Sequence, residues 1–400
     1  MTPLEPIVRL AAKGDGVTEK GQHVKGGLPG DWLDPDGVLQ RGKHYVTPPC
    51  PQFGRCGGCQ LQHADDATLK QFVRDRVLNA AHAQGLDIGK VLPVHLSPPA
   101  SRRRATLHAL KTRKGTLVGF HEARTHRIID AVECTVLRPE LANLLAPLRE
   151  LVPNHGGKGP IDIQLTLCDQ GVEVNLKNLP LAGLSATEDV IAFAQSSKLA
   201  RLTLDQGFGS ETMWEPEPAT VSLSGVSVSM PPGAFLQATQ DAEDAMLADV
   251  CHHLGDATLV ADLFSGLGTF AFAALRGKRC KVVAVEAQRS AHLACKAAST
   301  RAGGNVIALH RDLFRSPLQP DELERFDAVV IDPPRAGAKA QIAELAESAC
   351  KRVVYVSCNP SSWSRDGARL TEAGFKLATL RPVGQFRWST HVELVSLFMR

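Results

Sequence analysis

Four hundred residues exceed what one hydrophobic core supports, since cores stop growing near about 250–300 residues, so two or three domains are expected. A composition of 44% hydrophobic and 22% charged residues, with Gly 34 and Pro 25, excludes a disordered, collagen-like or coiled-coil chain. A net charge of +3 announces neither a nucleic-acid nor a membrane partner, so any electrostatic signal must be local. Met1-Thr2-Pro3-Leu4-Glu5 lacks the apolar core of a signal peptide, and no run approaches the ~18 apolar residues of a membrane span, which predicts a cytoplasmic chain. In that reducing compartment the ten cysteines call for metal, catalysis or burial rather than a disulfide framework.

Along the chain, residues 1–45 are rich in Gly and Asp, with Leu28-Pro29-Gly30-Asp31 as a turn between short strand-like pieces. Three cysteines follow within 50–59, and then Leu69, Phe72, Val73 and Val77 at helical spacing predict an amphipathic helix over 66–81. Between about 95 and 230, alternating segments (116–119, 161–166, 172–176, 221–228) predict a β-rich region of antiparallel strands. After Pro231-Pro232-Gly233 the pattern changes to apolar strands at 258–262, 281–285, 327–331 and 353–356, separated by Ala-rich helical stretches. That alternation predicts parallel strands with crossover helices. The expected division is 1–45, 46–230 and 231–400, with the helix over 66–81 packing on the last unit.

The strand Thr258–Asp262 runs into Leu263-Phe264-Ser265-Gly266-Leu267-Gly268-Thr269 and then a helix. Two glycines there let the backbone turn tightly and approach a ligand at a helix N-terminus. The next strand ends in Glu286, whose carboxylate can accept both hydrogen bonds of a ribose diol; Asp312 follows the strand after that. Asp332-Pro333-Pro334-Arg335 closes another strand, its prolines fixing the loop that carries the carboxylate. Ser357-Cys358-Asn359-Pro360 brings a thiol to the same edge, a nucleophile candidate, and Glu393 flanks the final apolar strand as a candidate base.

These segments resemble the bacterial RNA uracil-C5 methyltransferases. Phe235-Leu236-Gln237, Asp262-Leu-Phe-Ser-Gly266, Glu286, Asp332-Pro-Pro-Arg335, Ser357-Cys-Asn-Pro360 and His391-Val-Glu393 stand in that family's order and approximate spacing. The resemblance implies an α/β fold: a C-terminal Rossmann-like class I methyltransferase domain beside an N-terminal and central β-rich, iron–sulfur-containing domain. Residues 1–45 would be a truncated remnant of an oligonucleotide-binding β domain. It also implies S-adenosylmethionine held by Gln237, Phe264, Thr269, Glu286, Asp312 and Asp332, with Cys358 adding to uracil C6 and Glu393 removing the C5 proton of a ribosomal or transfer RNA. Because the target base must leave its stack, Phe386 and Trp388 are candidates for an aromatic wall. The chain is expected to act as a monomer.

Cys50-x5-Cys56-x2-Cys59, with Gly54, Gly57 and Gly58 between, can aim several thiolates at one centre; spacing alone leaves zinc and iron–sulfur open. The resemblance implies a 4Fe-4S cluster rather than zinc, with Cys134 as fourth ligand. Between Arg102 and Arg127 stand Arg102, Arg103, Arg104, Lys111, Arg113, Lys114, Arg124 and Arg127 against the single acid Glu122. That is a local +7, leaving −4 for the remainder, and it reads as a phosphate-contacting stripe. Three other readings stay open. An exocyclic-amine methyltransferase would use the Asp-Pro-Pro loop, a non-catalytic iron–sulfur RNA-binding protein would use only the cysteines, and a dinucleotide oxidoreductase would use only the glycine loop.

Overall fold

A computed structural model describes residues 4–155, 159–276 and 280–400. Its largest sheet carries the C-terminal half. In spatial order the strands are Val306–His310, Lys281–Glu286, Leu259–Leu263, Ala328–Ile331, Arg352–Ser357, Glu393–Met399 and Lys376–Gly384. The first five are mutually parallel, and Glu393–Met399 inserts antiparallel between the fifth and the last. Because successive side chains in a strand point to opposite faces, one face buries Val260, Val282, Ala284, Ala328, Val330 and Val354, and the other Ala261, Val283, Val285, Val329, Ile331 and Tyr355. Helices Gln240–Leu254 and Arg289–Arg301 cover the first face; Lys339–Glu347 and Pro360–Glu372 cover the second. This is an α/β sheet wound on both faces.

Residues 66–96 also belong to this sheet. Helix Asp66–Ala83, capped by Asp65 accepting from the Thr68 N–H at 2.8 Å, buries Leu69, Phe72, Val73 and Val77 against the second face. Ile88–Val91 and His95–Leu96 then pair in parallel with Lys376–Gly384. A boundary at 230 therefore does not separate two contiguous stretches: the chain visits the C-terminal sheet once before building the central one. His95 bonds Asp241 at 2.7 Å and Ser97 bonds Thr239 at 2.9 Å, fixing the crossing point.

The central sheet has seven strands: Ile128–Asp130, Gly115–His121, Arg104–Thr112, Ile161–Cys168, Gly171–Lys177, Arg201–Asp205 and Ser210–Trp214. All neighbours are antiparallel except Gly171–Lys177 with Arg201–Asp205, whose parallel pairing requires the crossover helix Leu184–Ser196. The alternation of 161–166 and 172–176 locates these strands, but it is silent about that helix. At the N-terminus, strands of two to six residues between Glu5 and Gln40 form a five-stranded antiparallel sheet. Such short strands let five fit where longer ones would not. The fully buried Asp31 carboxylate accepts from Leu28 N, Gly42 N and the Arg41 guanidinium and ties the turns together. Among the described residues no helix is long and apolar enough to cross a membrane.

Candidate active site

Parallel pairing brings the carboxyl ends of the strands to one edge, and the antiparallel Glu393–Met399 brings its first residue to that same edge, with Leu394 opposite Ser357. Cys358 and Glu393 thus leave neighbouring strands together. The Cys358 loop is held rigidly: Asn359 Nδ2 donates to the Arg335 carbonyl at 2.8 Å and Ser362 Oγ to the same oxygen at 3.1 Å, so the Cys358 and Asp332 loops are one unit. Beneath them, the Asp366 carboxylate accepts from Tyr355 Oη at 2.7 Å and from the Ala338 N–H at 2.8 Å.

The site is crowded with acids. Burial, then the Glu393 and Asp332 carboxylates, push the Cys358 thiol up to about 11, while Arg335 pulls it down. Burial raises Glu393 to about 7 against a hydrogen bond from Gln385 and the charge of Arg335. Burial together with Glu393 and Asp262 lifts Asp332 well above the carboxylate range. Asp262 is fully buried, both of its carboxylate oxygens lack a hydrogen-bond partner among the described residues, and burial holds it up to about 8.

The glycine loop follows Asp262. Phe264 is held at φ 61, Gly266 at φ 56 and Gly268 at φ 92, and Thr269 opens the helix Thr269–Ala274. Ser265 Oγ, like the Asp262 oxygens, is buried without a partner among the described residues. Glu286 accepts from Gly266 N at 2.8 Å and from Gln288 N at 2.6 Å, so the acid braces the loop as well as facing its opening. Asp312 accepts from Phe314 N at 2.9 Å, and the exposed Phe314 ring lies 5.4 Å from that of Phe264. A cradle with orphaned polar atoms, two left-handed glycines and a half-open pair of rings fits a nucleoside-type ligand.

Gln237 stands nearer the base than the glycine loop: its Oε1 accepts from Gln385 Nε2 at 3.1 Å, and Gln385 Oε1 accepts from Ala238 N at 3.0 Å. Gln385 acts on Glu393 and Arg335 on both Glu393 and Cys358, contacts that the motif spacing did not foretell. The pairing of Val383 with Glu393 is what brings Gln385 to the base, and the strand Lys376–Gly384 that creates it was not legible as a strand. The aromatic wall needs a correction. Trp388, at φ 64, is only 7% exposed and packs in the core, so it is not available to a flipped base. Phe386 is half-buried, between the Arg102 guanidinium (5.3 Å to the ring centroid) and His391 (5.8 Å). His391 Nδ1 in turn accepts from Arg335 at 3.0 Å.

Cys50, Cys56, Cys59 and Cys134 line a single cavity, joined by Phe53, Phe120, Ile129, Ala131 and Arg102. Burial raises the Cys56, Cys59 and Cys134 thiols, Cys59 up to about 12, and their mutual repulsion adds to the rise. Gly57 is required by close approach, since a Cβ there would stand 2.7 Å from the His121 carbonyl oxygen. Among the described residues no group of three or more His, Cys, Asp and Glu is arranged to hold a metal ion.

The basic stripe also divides. Arg103 is buried, donating to Glu243 at 2.6 Å, to the Gln237 carbonyl at 3.1 Å and to Gln240. Arg102 lines the cysteine cavity and Arg104 lies 4.3 Å over the exposed Phe235 ring. Arg103 is thus held inside the fold rather than offered to phosphate, while Arg102 and Arg104 are half-buried. Lys111, Arg113 and Lys114 are exposed at one end of the hairpin Arg104–His121, and Arg124 and Arg127 at the other.

A family model described as tRNA (uracil-5-)-methyltransferase matches residues 220–400. The 23S rRNA (uracil(1939)-C(5))-methyltransferase RlmD of Pectobacterium atrosepticum is 30% identical over 371 residues, covering 90% of this chain and 82% of its own. The chain belongs to the RNA (uracil-5-)-methyltransferase family. An uncharacterized RNA methyltransferase of Zymomonas mobilis is 47% identical over 398 residues, 99% of this chain and 100% of its own. Like its relatives this family member is an S-adenosylmethionine-dependent RNA methyltransferase, and the α/β fold has a solved counterpart. The Pyrococcus abyssi tRNA (uracil-54, C5)-methyltransferase, in complex with S-adenosyl-L-homocysteine, superimposes with a TM-score of 0.75 over 99% of this chain and all of its own, at 21% identity.

Proposed function

We propose that the chain methylates C5 of a uridine in ribosomal or transfer RNA, with Cys358 as nucleophile and Glu393 as base, acting as a cytoplasmic monomer. The observation that carries this reading is the shared edge on which a thiol and two acids of raised pKa stand on tied loops. Uracil C5 is a weak nucleophile. Addition of the Cys358 sulfur to C6 delocalises charge onto C5, which can then attack an electrophile. S-adenosylmethionine, when bound, supplies that electrophile as a methyl group on a sulfonium. Gly266, Gly268, Thr269 and Glu286 would hold its ribose end, Phe264 with Asp312 and Phe314 its adenine, and Asp262 its amino acid end; Asp332 and Gln237 would orient the base or the methyl donor.

Glu393 then removes the C5 proton, and the C6–S bond breaks to release the Cys358 thiolate. A carboxylate held up to about 7 suits proton removal near neutrality. Arg335 is the cation that favours the thiolate, and it is anchored by its carbonyl and by His391. The four cysteines that line one cavity would hold a 4Fe-4S cluster, as the family resemblance implies, with a structural or RNA-binding role. The test is 5-methyluridine in RNA from a strain lacking the gene. The wild-type chain should restore it and Cys358→Ala should not, whereas restoration by Cys358→Ala would point to another nucleophile.

A further inference from the structure

Arg102 has an unusual position for an arginine. It forms part of the wall of the cysteine cavity and also of a second, smaller cavity bounded by Gly58, Gln385, Phe386 and Ser389. Its Nε donates to the Arg104 carbonyl at 2.9 Å, and its guanidinium lies over Phe386. Among the described residues it makes no ion pair with a carboxylate. A desolvated cation without a carboxylate is costly, so the Arg104 carbonyl and the Phe386 ring are what hold it between the two cavities.

The far side of Phe386 is the catalytic edge. Phe386 follows Gln385, which bonds Gln237 and the base Glu393, and it packs against His391 two residues before that base. A second link runs in parallel: the N–H groups of Gln60 and Leu61, just after Cys59, donate to the Trp388 carbonyl at 2.7 and 2.9 Å. The cysteine loop is thus fastened to the 385–391 segment by two backbone bonds and one cation–aromatic contact.

We infer that Arg102 is a positioning residue for Glu393, linking the wall of the cysteine cavity to the Gln385–Phe386 segment and so to the release of methylated RNA, rather than a phosphate contact. This rests on the uracil-C5 reading for its catalytic consequence, but not for its structural one. A cation over an aromatic ring in a desolvated place is strong enough to suppress local opening about tenfold or more.

Hydrogen–deuterium exchange on the full, anaerobically purified chain tests the structural consequence without substrate. Arg102→Gln should speed exchange of the 384–391 peptide about tenfold while strand Arg352–Ser357 and helix Asp66–Ala83 stay at wild-type rates. Arg102→Lys, which keeps charge but not the planar stack, should fall between. Unchanged exchange at 384–391 would overturn the inference, as would equal acceleration everywhere, which marks general loosening. Single-turnover release of methylated RNA, with RNA from a strain lacking the gene, supplies the second arm. Arg102→Gln, Phe386→Leu and the double variant should each slow release about tenfold, the double no more than the slower single, with RNA retention on filters within about twofold of wild type. Multiplicative losses, or a loss confined to RNA retention, would refute positioning. A wild-type chain that forms no 5-methyluridine would instead refute the uracil-C5 reading and leave the exchange result standing.

Discussion

Arg103→Ala removes a guanidinium whose side chain is 6% exposed and whose partner Glu243 is 3% exposed, joined at 2.6 Å. The pair crosses from the segment entering the central sheet strand Arg104–Thr112 to helix Gln240–Leu254 of the C-terminal sheet, so the loss falls where the two sheets meet. Taking away one member of a buried pair leaves the other uncompensated, a destabilisation of about 3–5 kcal/mol, or roughly 4–6 °C in the melting temperature of a chain this long. Burial already raises the Glu243 carboxyl despite Arg103. In the variant that rise grows, so the folded chain holds a proton that the unfolded chain has released. Stability is then best at low pH and is lost as pH rises through the folded value, so the deficit against wild type should be larger at pH 8 than at pH 5. Differential scanning calorimetry at the two pH values measures this. A loss below about 1 kcal/mol at pH 8, or one independent of pH, would refute the buried-pair argument. A flattened salt dependence of RNA binding in the same variant would show that Arg103 meets phosphate after all.

Glu393 should set the rising limb of adduct release, the step after methyl transfer, near pH 7, since the carboxylate is the active form; a single-turnover release profile flat from about pH 5.5 to 8.5 would contradict its assignment as base. Its raised carboxyl also contributes stability below its unfolded value of 4.5 that is lost as pH climbs through about 7. Replacing the exposed Arg113 and Lys114, or Arg124 and Arg127, by Ala should lower the slope of log affinity against log salt by about 0.7–0.9 for each phosphate no longer neutralised, and filter binding from low to moderate salt reads it. An unchanged slope for both pairs would remove these hairpin ends from the RNA interface. Gly268→Ala puts a Cβ 2.8 Å from the Phe272 ring and 2.9 Å from Cys295 Sγ at φ 92, both neighbours fixed in the core. It should destabilise by about 2–5 kcal/mol and weaken S-adenosylmethionine binding by calorimetry, and a near wild-type melting temperature would show the loop can yield.

Much of the catalytic half was legible because its strands are apolar runs ending in chemically distinctive loops. Parallel pairing does the rest: once 258–262, 281–285, 327–331 and 353–356 are strands of one sheet, Glu286, Asp332 and Cys358 must share an edge. The segment Lys376–Gly384 escaped because Arg381 and Pro382 interrupt its alternation, and with it went the route by which Gln385 reaches Glu393. The joining of 88–96 to the C-terminal sheet is a long-range pairing with no local signature. Charge counting misread the buried Arg103 for a related reason, since a run of basic residues says nothing about which acids lie across the fold. The cysteines show the opposite case: dense spacing marked Cys50, Cys56 and Cys59 as a set, the family resemblance added Cys134, and all four line one cavity.

Covalent trapping asks most directly whether Cys358 bonds to RNA and whether Glu393 is needed to release it. Glu393→Gln, incubated with S-adenosylmethionine and RNA from a strain lacking the gene, should accumulate a protein–RNA adduct that survives denaturing electrophoresis, and digestion should locate the attached nucleotide on Cys358. Adding Cys358→Ala should abolish the band. No adduct from Glu393→Gln, full turnover by that variant, or attachment through another residue would contradict the mechanism.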